Sequence, residues 1–540
     1  MNDLTIFMSI GELCQWKQIF NCRKIGGSTI KSTKLHKNGS IFAAIRRTTV
    51  CRRSARKIPS FGVIRPEDCA LRNFHLQRAC FPTRLPVTRS EAFAWHQRPG
   101  ALARLLPPWE NIRVLRPASD INTGTQVEFL TRLGPFAIRW LAEHTACCPP
   151  EYFEDQQLRG PFAYWRHRHK FIDDSPQTSV LEDQLEFSLP GGRCGNWLAG
   201  RSVAEKIERM FAFRHAVTRA DLSAHASYRE QPRMSVGITG ADGLIGSALT
   251  AFLTTGGHRV TAICRSRRET SAPEKIVWNP GIGGELEKAA EKWDAVIHLA
   301  GENISHGRWT TKQKREIWSS RVERTRSFCE ALVSQPDPPA ILLAASGTSF
   351  YGDAGSTDYR TENAARGEGF LAELSAAWEE ACRPAIDAGI RVVHLRFGMV
   401  LSPRGGALSA MLPVFRGGVG GTIGTGKQYW SWISLDDAVE AIHHALMKSE
   451  IHGPLNVVAP QPITNADFTQ KLARALHRWA LLSFPSRVAN LCLGEVADAL
   501  LCSSVAATPE KLCDSGFSFR HAELENAFGH MLGHARAHRK

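Results

Sequence analysis

The chain has 540 residues, 43% of them hydrophobic, and a formal net charge of +15, a length that suits two or three domains. No stretch approaches the roughly 20 apolar residues of a membrane-spanning helix, and the first residues lack the apolar core of a secretory signal. The fourteen cysteines form no CxxC pair and no Cys/His spacing typical of zinc, so we expect no metal site and a reducing, cytoplasmic environment.

The positive charge is concentrated in the first 90 residues, which hold seventeen Lys and Arg against four Asp and Glu. Three interpretations of residues 1–81 stay open: a disordered basic tail, an organelle transit segment, and a mis-set translation start. Nucleic-acid binding is disfavoured, because the basic cluster IRRTTVCRRSARK (45–57) has no interleaved aromatic residues on which bases would stack.

Residues 82–228 have the pattern of an α+β domain. The alternating runs TQVEFLTRL (125–133) and TSVLEDQLEFSLP (178–190) predict strands with one buried face. The segment RSVAEKIERMFAFRHAVTRADL (201–222) has apolar residues near helical spacing and predicts a long amphipathic helix. Strands followed by one long helix predict a sheet that the helix covers.

From Met234 onward, apolar strands alternate with helical patterns. This alternation predicts a parallel sheet buried on both faces, in a doubly wound α/β domain over 234–484. The predicted strands are SVGITG (235–240), HRVTAICR (258–265), AVIHLAG (295–301), AILLAASG (340–347), IRVVHLRFG (390–398) and GPLNVVA (453–459). A helical segment over 485–535 is expected to follow.

The first of these strands leads into a glycine-rich loop, TGADGLIG. A strand before such a loop and a helix after it favour a dinucleotide-binding site, although a tight turn without a ligand stays open. Gly240 permits the turn, Gly243 lets backbone N–H groups approach a pyrophosphate, and Gly246 lets the helix lie close to the strand. The predicted cofactor-binding residues of the loop are Thr239, Gly240, Asp242, Gly243, Leu244, Ile245 and Gly246.

The end of the second strand indicates which dinucleotide is bound. An NAD site would place Asp or Glu about 20 residues after the loop, to accept a hydrogen bond from the ribose 2′-hydroxyl. This chain has no acid there and carries Arg265, Arg267 and Arg268, which suit bidentate capture of a 2′-phosphate. We therefore expect NADP(H), with Arg265 as a binding residue; NAD(H) and a simply solvated arginine loop stay open.

Several motifs in order resemble one branch of the extended short-chain dehydrogenase/reductase superfamily, the epimerase-like branch whose members often carry a small C-terminal domain. They are TGADGLIG, HLAGENI (298–304), SGTSFYGDAG (346–355), LRFGMVLSPRGGALSAMLPVFRGGVGG (395–421), YWSWISLDDAVEAI (429–442) and the terminal stretch 501–528. The resemblance covers about 234–535. It implies an α/β Rossmann domain over 234–484, a small C-terminal helical domain over 485–535, and cofactor contacts from Leu299, Ala300, Gly301 and Arg396.

Residues 82–228 resemble the polyketide-cyclase/START-like (SRPBCC) helix-grip superfamily, most specifically in FEDQQLRGPFAYWRHRHKF (153–171). This resemblance implies a curved antiparallel sheet wrapped on a long helix, usually around an apolar cavity. The expected architecture is thus a helix-grip domain, a Rossmann domain and a small C-terminal domain.

The chain departs from the superfamily at the catalytic residues. Members of the superfamily normally use a Tyr-x-x-x-Lys pair, in which the lysine lowers the pKa of the phenol. Here Phe370 and Leu374 occupy those places, and neither can move a proton. Ser346 and Tyr351 are the surviving catalytic candidates, although Tyr351 is equally well explained as a packed loop aromatic.

Other polar residues have two interpretations each. Lys314 and Arg321 share a helix face and either reach the cofactor or substrate or form a solvated basic face. His298 is more simply a satisfied core histidine than a catalytic one. Trp430 and Trp432 line a substrate slot or belong to the core, and Asp436 and Asp437 suit a helix start.

Two functions stay open. The first is an NADP(H)-dependent oxidoreductase or epimerase-like enzyme whose apolar or aromatic substrate binds with help from residues 82–228. The second is a non-catalytic NADP(H)-binding sensor or regulatory protein; members of the branch are sometimes labelled cell-division inhibitors. No membrane partner is expected, and a homodimer is expected by analogy alone.

Overall fold

The computed structural model describes residues 76–118, 120–133, 136–265, 274–279, 283–284, 292–305, 307–353, 358–487 and 494–534. The predictions for residues 1–75, Arg267 and Arg268 concern residues outside this set. No helix in the described ranges combines the length and apolarity needed to cross a membrane.

The N-terminal part is a seven-stranded antiparallel sheet in the order β1-β7-β6-β5-β4-β3-β2. Its strands are β1 (Gln77–Leu85), β2 (Arg113–Arg116), β3 (Gln126–Leu133), β4 (Phe136–Cys148), β5 (Tyr152–Arg159), β6 (Tyr164–Ser175) and β7 (Thr178–Ser188). Helices Arg89–Gln97 and Ala101–Leu105 lie between β1 and β2, and a long helix, Gly192–Ala226, follows β7. The predicted strands at 125–133 and 178–190 and the long helix are confirmed, although the helix begins nine residues earlier than predicted.

One face of this sheet is buried, as the period of two in its strands requires. In β6 and β7 the buried positions alternate with partly exposed ones. Half of them are apolar, such as Trp165, Phe171 and Leu185, and the other half are polar, among them His167 and Asp183. A polar group on a buried face costs free energy unless it has a hydrogen-bond or ion-pair partner. His167 and Asp183 therefore indicate a polar site on this face.

The second part is an eight-stranded sheet in the order β11-β10-β9-β8-β12-β13-β14-β19, parallel except for the β10–β11 pair. Its strands are β8 (Ser235–Thr239), β9 (Arg259–Cys264), β10 (Glu274–Asn279), β11 (Gly283–Gly284), β12 (Ala295–His298), β13 (Ile341–Gly347), β14 (Arg391–Phe397) and β19 (Gly453–Val457). Strand order reverses between β8 and β12, the place where open α/β sheets bind ligands. The predicted Rossmann-like parallel sheet is therefore confirmed.

The sequence analysis misses β10. Its residues, EKIVWN, mix charged and apolar side chains, and only Trp278 is fully buried. A strand near the sheet edge lacks the near-continuous apolar run that marks the central strands, so its pattern is weak.

Helices cover both faces of this sheet and connect its strands. They are Leu244–Thr255, Thr311–Arg321, Glu323–Val333, Phe370–Glu380, Arg383–Asp387, Gly406–Arg416, Leu435–Met447 and Asn465–Ala475, with a 3₁₀ turn at Thr348–Tyr351. Three small two-stranded pairs accompany them: β15 (Met399–Leu401) with β18 (Trp432–Ser434), β16 (Gly421–Ile423) with β21 (Leu482–Phe484), and β17 (Tyr429–Trp430) with β20 (Ile463–Thr464). The end of the chain contains short helices at Glu495–Ala497, Glu510–Asp514 and Leu524–Met531 and a π turn at Asp498–Cys502.

A buried ion network joins the three parts of the chain. Arg104 makes a bidentate contact with Asp221 of the long helix, at 2.7 and 2.8 Å, and also contacts Asp436 at 3.0 Å. Arg520, from the C-terminal part, contacts Asp221 at 3.2 Å and Glu440 at 2.6 Å. Because both arginines are largely buried, these contacts fix the N-terminal sheet against the Rossmann domain.

The residues around this network settle two of the open interpretations. Ser434 caps helix Leu435–Met447 by accepting from the Asp437 N–H, and both Asp436 and Asp437 lie in the first turn, as the helix-start interpretation predicts. Trp430 and Trp432 are 7% and 2% exposed and belong to an apolar core cluster, so the core interpretation holds for both.

Candidate nucleotide site and adjoining cavity

The glycine loop has the backbone geometry of an anion site. Gly240 has φ +69°, and the Gly243 N–H donates to the Gly240 carbonyl over 2.9 Å. Helix Leu244–Thr255 begins directly after Gly243, and within the described ranges no side chain caps its amino end. The first N–H groups of a helix lack partners within the helix and carry its positive dipole end, so this exposed end can bind a phosphate.

Gly246 explains how the helix approaches the strand. A Cβ at this position would lie 2.1 Å from the Gly240 carbonyl oxygen and 2.9 Å from the Ala241 Cα. Only hydrogen fits there. The close packing expected of this glycine is present in the structure.

A chain of hydrogen bonds connects the start of the glycine loop to the backbone that follows β12. The Thr239 hydroxyl oxygen accepts from the Leu299 and Ala300 N–H groups, at 3.1 and 3.2 Å, and lies 2.8 Å from His298 Nδ1. His298 Nε2 is 3.0 Å from the Thr325 hydroxyl. Burial lowers the pKa of His298 to about 4, so the ring is neutral at pH 7, and the core-histidine interpretation fits the geometry.

The loop after β12 lies on a buried arginine. Arg321 donates to the Glu302 carbonyl over 2.7 Å, and its guanidinium lies 5.0 Å from the Trp378 ring centroid. A Cβ on Gly301 would lie 3.3 Å from the Arg321 guanidinium carbon. Burial lowers the pKa of Arg321 to about 10. This arginine supports the predicted cofactor loop at 299–301 and is not part of a solvated basic face.

Arg265 lies at the same sheet edge as the glycine loop. Thr239 pairs with Ile263 in the β8–β9 register, so Arg265 follows one residue beyond the end of β9 and is exposed. Burial and the Asp242 carboxylate raise the pKa of the Cys264 thiol at that strand end.

Ser346, Tyr351 and Arg396 meet in a closed network. Arg396 forms a bidentate contact with Glu379 at 2.7 and 2.8 Å and donates to the Tyr351 hydroxyl over 3.0 Å. Ser346 donates to Glu379 over 2.8 Å, and Tyr351 donates to the Asn456 amide oxygen over 2.7 Å.

This network explains the three side chains without a ligand. They are 4%, 2% and 3% exposed respectively. Burial raises the pKa of the Tyr351 phenol, the opposite of what a proton acceptor at neutral pH needs. The catalytic roles of Ser346 and Tyr351 and the cofactor role of Arg396 therefore stay predictions that this geometry disfavours.

The place of the missing Tyr-x-x-x-Lys pair is filled by an apolar cluster. Leu374 is 2% exposed and packs with Trp309 and Ile317, while Phe370 contacts Trp309 edge to face. The Lys314 ammonium lies 5.0 Å from the centre of the Phe370 ring and 2.5 Å from a Glu495 carboxylate oxygen. Sequence reasoning did not identify Glu495, because it belongs to the C-terminal part, 181 residues away along the chain.

A cavity of about 980 Å³ extends from the glycine loop to the inner face of the N-terminal sheet. At one end it is lined by the exposed side of helix Leu244–Thr255 and by the loop at 402–405. At the other end it is lined by aromatic and aliphatic residues, including Trp140, Phe153 and Trp165. The volume suits a small organic molecule, and the lining favours an apolar one.

Two family profiles match this chain. The profile of the NAD dependent epimerase/dehydratase family matches residues 236–458, and a domain of unknown function (DUF1731) matches residues 484–531. An epimerase family protein of Mycobacterium bovis is 41% identical over 300 residues, covering 56% of this chain and 97% of that protein. The human epimerase family protein SDR39U1 is 34% identical over 293 residues, covering 54% and 97%.

Two crystal structures share the fold. A nucleoside-diphosphate sugar epimerase from Corynebacterium glutamicum aligns with a TM-score of 0.68 and 30% identity, covering 84% of this chain and 90% of its own. An alignment that covers 84% of this chain extends beyond the residues after 228, so it includes much of the N-terminal sheet. Human SDR39U1 (isoform 2), solved with NADPH, aligns with a TM-score of 0.51 and 34% identity, covering 55% and 99%.

Proposed function

This chain belongs to the NAD dependent epimerase/dehydratase family. On that premise we propose that it binds NADP(H) at the glycine loop. We propose further that it transfers hydride between the nicotinamide and an apolar small molecule in the adjoining cavity. The observation that carries this proposal is the uncapped helix end after Gly243, because it borders that cavity.

The phosphate chemistry of the loop supports nucleotide binding. The pyrophosphate would lie against the N–H groups at Leu244–Gly246, where the Gly240 turn and the Gly246 contact keep the backbone close. Arg265 would take the 2′-phosphate, since its exposed guanidinium follows the neighbouring strand. The NADPH in the human relative agrees with this choice.

The cavity supports an apolar substrate. Its far end carries the aromatic side chains of the N-terminal sheet, which would exclude water from a bound molecule. The antiparallel sheet with its long C-terminal helix is the arrangement that a helix-grip domain requires, and we propose that residues 82–228 are such a domain. A domain of this kind would hold the substrate while the Rossmann domain holds the nucleotide.

We propose Lys314 as proton donor; it does not line the cavity of about 980 Å³, so the reacting carbonyl must extend from that cavity to Phe370. When bound, the nicotinamide supplies hydride to a carbonyl carbon, and the oxygen formed then needs a proton. The Lys314 ammonium holds protons beside Phe370, at the place of the missing tyrosine, and Glu495 keeps it there. Glu495 thereby becomes a positioning residue.

A non-catalytic sensor is the second candidate. Phe370 and Leu374 favour it, because an apolar cluster stands where the superfamily places its acid and base. Under this alternative the nucleotide still binds, and the cavity ligand changes nucleotide affinity without reacting.

Nucleotide choice is tested by fluorescence titration of the full chain. Loss of a hydrogen bond to a charged group is worth about 1.5–3 kcal/mol, so Arg265→Ala should weaken NADPH binding about 10- to 100-fold. NADH binding should change little. Arg259→Ala is the matched control, since Arg259 lies at the opposite end of the same strand, paired with Glu274. Equal losses for NADPH and NADH would refute the role of Arg265.

Turnover is tested by following NADPH oxidation with a panel of apolar ketones and aldehydes. Lys314→Met should lower turnover at least tenfold and leave the NADPH dissociation constant unchanged. Lys312→Met, an exposed lysine on the same helix, should behave as wild type. NADPH binding without oxidation of any panel member would favour the sensor.

A further inference from the structure

The inner face of the N-terminal sheet carries a cluster of histidines and carboxylates in the wall of the cavity. Asp155 of β5 stands opposite His167 of β6, and His169 stands opposite Asp183 of β7. The two histidines are 2% and 7% exposed. A donor atom from each of Asp155, His167 and His169 lies within 4.8 Å of the other two.

Asp183 lies close to one nitrogen of each imidazole. Its Oδ1 lies 3.1 Å from His167 Nε2 and 2.6 Å from His169 Nδ1. A metal ion that displaces the proton between His167 Nδ1 and Asp155 would have His167 Nδ1 and His169 Nε2 as ligand atoms. A buried carboxylate that holds the second nitrogen of a ligating histidine is the usual outer shell of a protein metal site. Asp183 is itself held by His215 Nε2, at 2.6 Å.

The spacing of the donors fits a metal ion. His167 Nδ1 lies 3.3 Å from Asp155 Oδ2. Two ligands bound tetrahedrally at 2.0–2.1 Å are about 3.4 Å apart. Donors that are already at this separation need little rearrangement to share an ion.

A neighbouring histidine supplies a second observation. His144 of β4 stands opposite Asp155 in the β4–β5 register and lines the same cavity. It is 9% exposed, and within the described residues its Nδ1 has no hydrogen-bond partner. A buried ring nitrogen without a partner loses free energy unless something binds there.

We propose that Asp155, His167 and His169 bind a divalent first-row transition metal, such as Zn²⁺ or Fe²⁺, in the wall of the cavity, with an open coordination position for an oxygen donor of the cavity ligand. Two imidazoles and one carboxylate suit these ions and leave positions free. Arg214 also lines the cavity and interacts electrostatically with Asp155 and Asp183. Two carboxylates with one guanidinium and one divalent ion leave a net positive charge, which favours a carboxylate, phenolate or enolate oxygen.

A second histidine cluster also has buried ring nitrogens without a hydrogen-bond partner in the described residues, but one of its members is not available as a metal ligand. His225, His258 and His443 are buried within 4.8 Å of one another. His258 Nδ1 accepts from the Met234 N–H over 3.2 Å, so in a neutral ring its Nε2 carries the proton. That nitrogen cannot be a metal ligand without forming an imidazolate. The cluster therefore serves as a control for the site on the sheet.

The test is titration of chelator-treated full-length protein with Co²⁺, followed by visible absorption. We expect one ion per chain, with ligand-field bands that Zn²⁺ abolishes. His169→Gln and the isosteric Asp155→Asn should weaken Co²⁺ binding at least 100-fold, with unchanged far-ultraviolet circular dichroism. His258→Gln should bind as wild type. Equal affinity in the wild type and Asp155→Asn, or no stoichiometric binding by the wild type, would overturn the proposal.

A second measurement needs no variant. X-ray absorption of the Zn²⁺-loaded chain should show two imidazole ligands and oxygen scatterers. A shell dominated by sulfur would assign the ion to the cysteines and overturn the proposal. Neither measurement depends on nucleotide binding, so the outcome is independent of the function proposed above.

Discussion

Gly246→Ala tests whether the close contact between helix and strand is what builds the nucleotide site. The new Cβ would lie 2.1 Å from the Gly240 carbonyl oxygen, where ordinary contact begins near 3.4 Å. The atoms nearest the new Cβ belong to the backbone, so no side chain can rotate to relieve the clash. The helix must therefore move away by roughly 1.3 Å. Overpacking of this kind costs about 1–3 kcal/mol of unfolding free energy.

The same displacement moves the N–H groups that would face the pyrophosphate. Losing one hydrogen bond to a charged group would weaken NADPH about 10- to 100-fold. The assay is NADPH fluorescence titration beside urea unfolding of the same preparations. Gly389→Ala is the control: Gly389 has φ +82° and nothing within 4 Å of a new Cβ, so this variant should lose about 1–2 kcal/mol and keep its NADPH affinity. Wild-type NADPH affinity in Gly246→Ala would refute the reasoning.

Two further predictions concern buried groups. Burial lowers the pKa of His298 to about 4, whereas an unfolded histidine titrates near 6.5, so the unfolded state binds more protons between these values. The unfolding free energy should fall as pH drops from 6.5 to 4, by about 3 kcal/mol for this residue. Urea titrations at pH 7 and 4.5 should show a smaller fall in His298→Gln than in the wild type. An identical fall in the two proteins would contradict the assignment. Leu374→Lys places an ammonium in the apolar cluster of Trp309 and Ile317. The unfolding free energy should fall by on the order of 5 kcal/mol in the same assay, because burial disfavours the charged form. Unchanged stability would mean that the cluster admits water.

Local backbone requirements made much of the fold and the loop predictable. The Gly240 turn and the Gly246 contact depend on residues within eight positions of each other, and right-handed crossovers order the apolar strands around β8. Strand β10, next to the sheet edge, was not predicted, because its six residues of mixed polarity show no clear period.

The parts of the site built from distant segments could not be predicted. Arg396, Glu379 and Tyr351 come from three elements, and no periodicity relates them. The histidine cluster was missed for a different reason. His167 and His169 are two apart on one strand, a spacing that a search for Cys/His zinc patterns passes over, and Asp155 joins them only through the β5–β6 register. Two histidines on the buried face of a strand are the signal that could have identified it.

The long helix connects the two ends of the cavity. His215 contacts Asp183 beside the proposed metal ligands, Asp221 contacts Arg104, and His225 lies 3.1 Å from the Phe252 carbonyl of the glycine-loop helix. Ten residues of helix span about 15 Å, so one rigid element holds Asp183 of the sheet and the carboxyl-terminal half of helix Leu244–Thr255 at about that separation.

Arg104→Met should break this connection at its middle. Removing one partner of a buried ion pair costs about 3–5 kcal/mol, because Asp221 keeps its charge with only Arg520 beside it. Urea unfolding should show that loss. Co²⁺ affinity should stay at the wild-type value, since Asp155, His167, His169 and their Asp183–His215 support lie within the N-terminal sheet and its own helix. If Arg104→Met weakened Co²⁺ binding as much as His169→Gln does, the metal site would depend on how the two parts are packed together, and the account of it as a property of the sheet alone would be wrong.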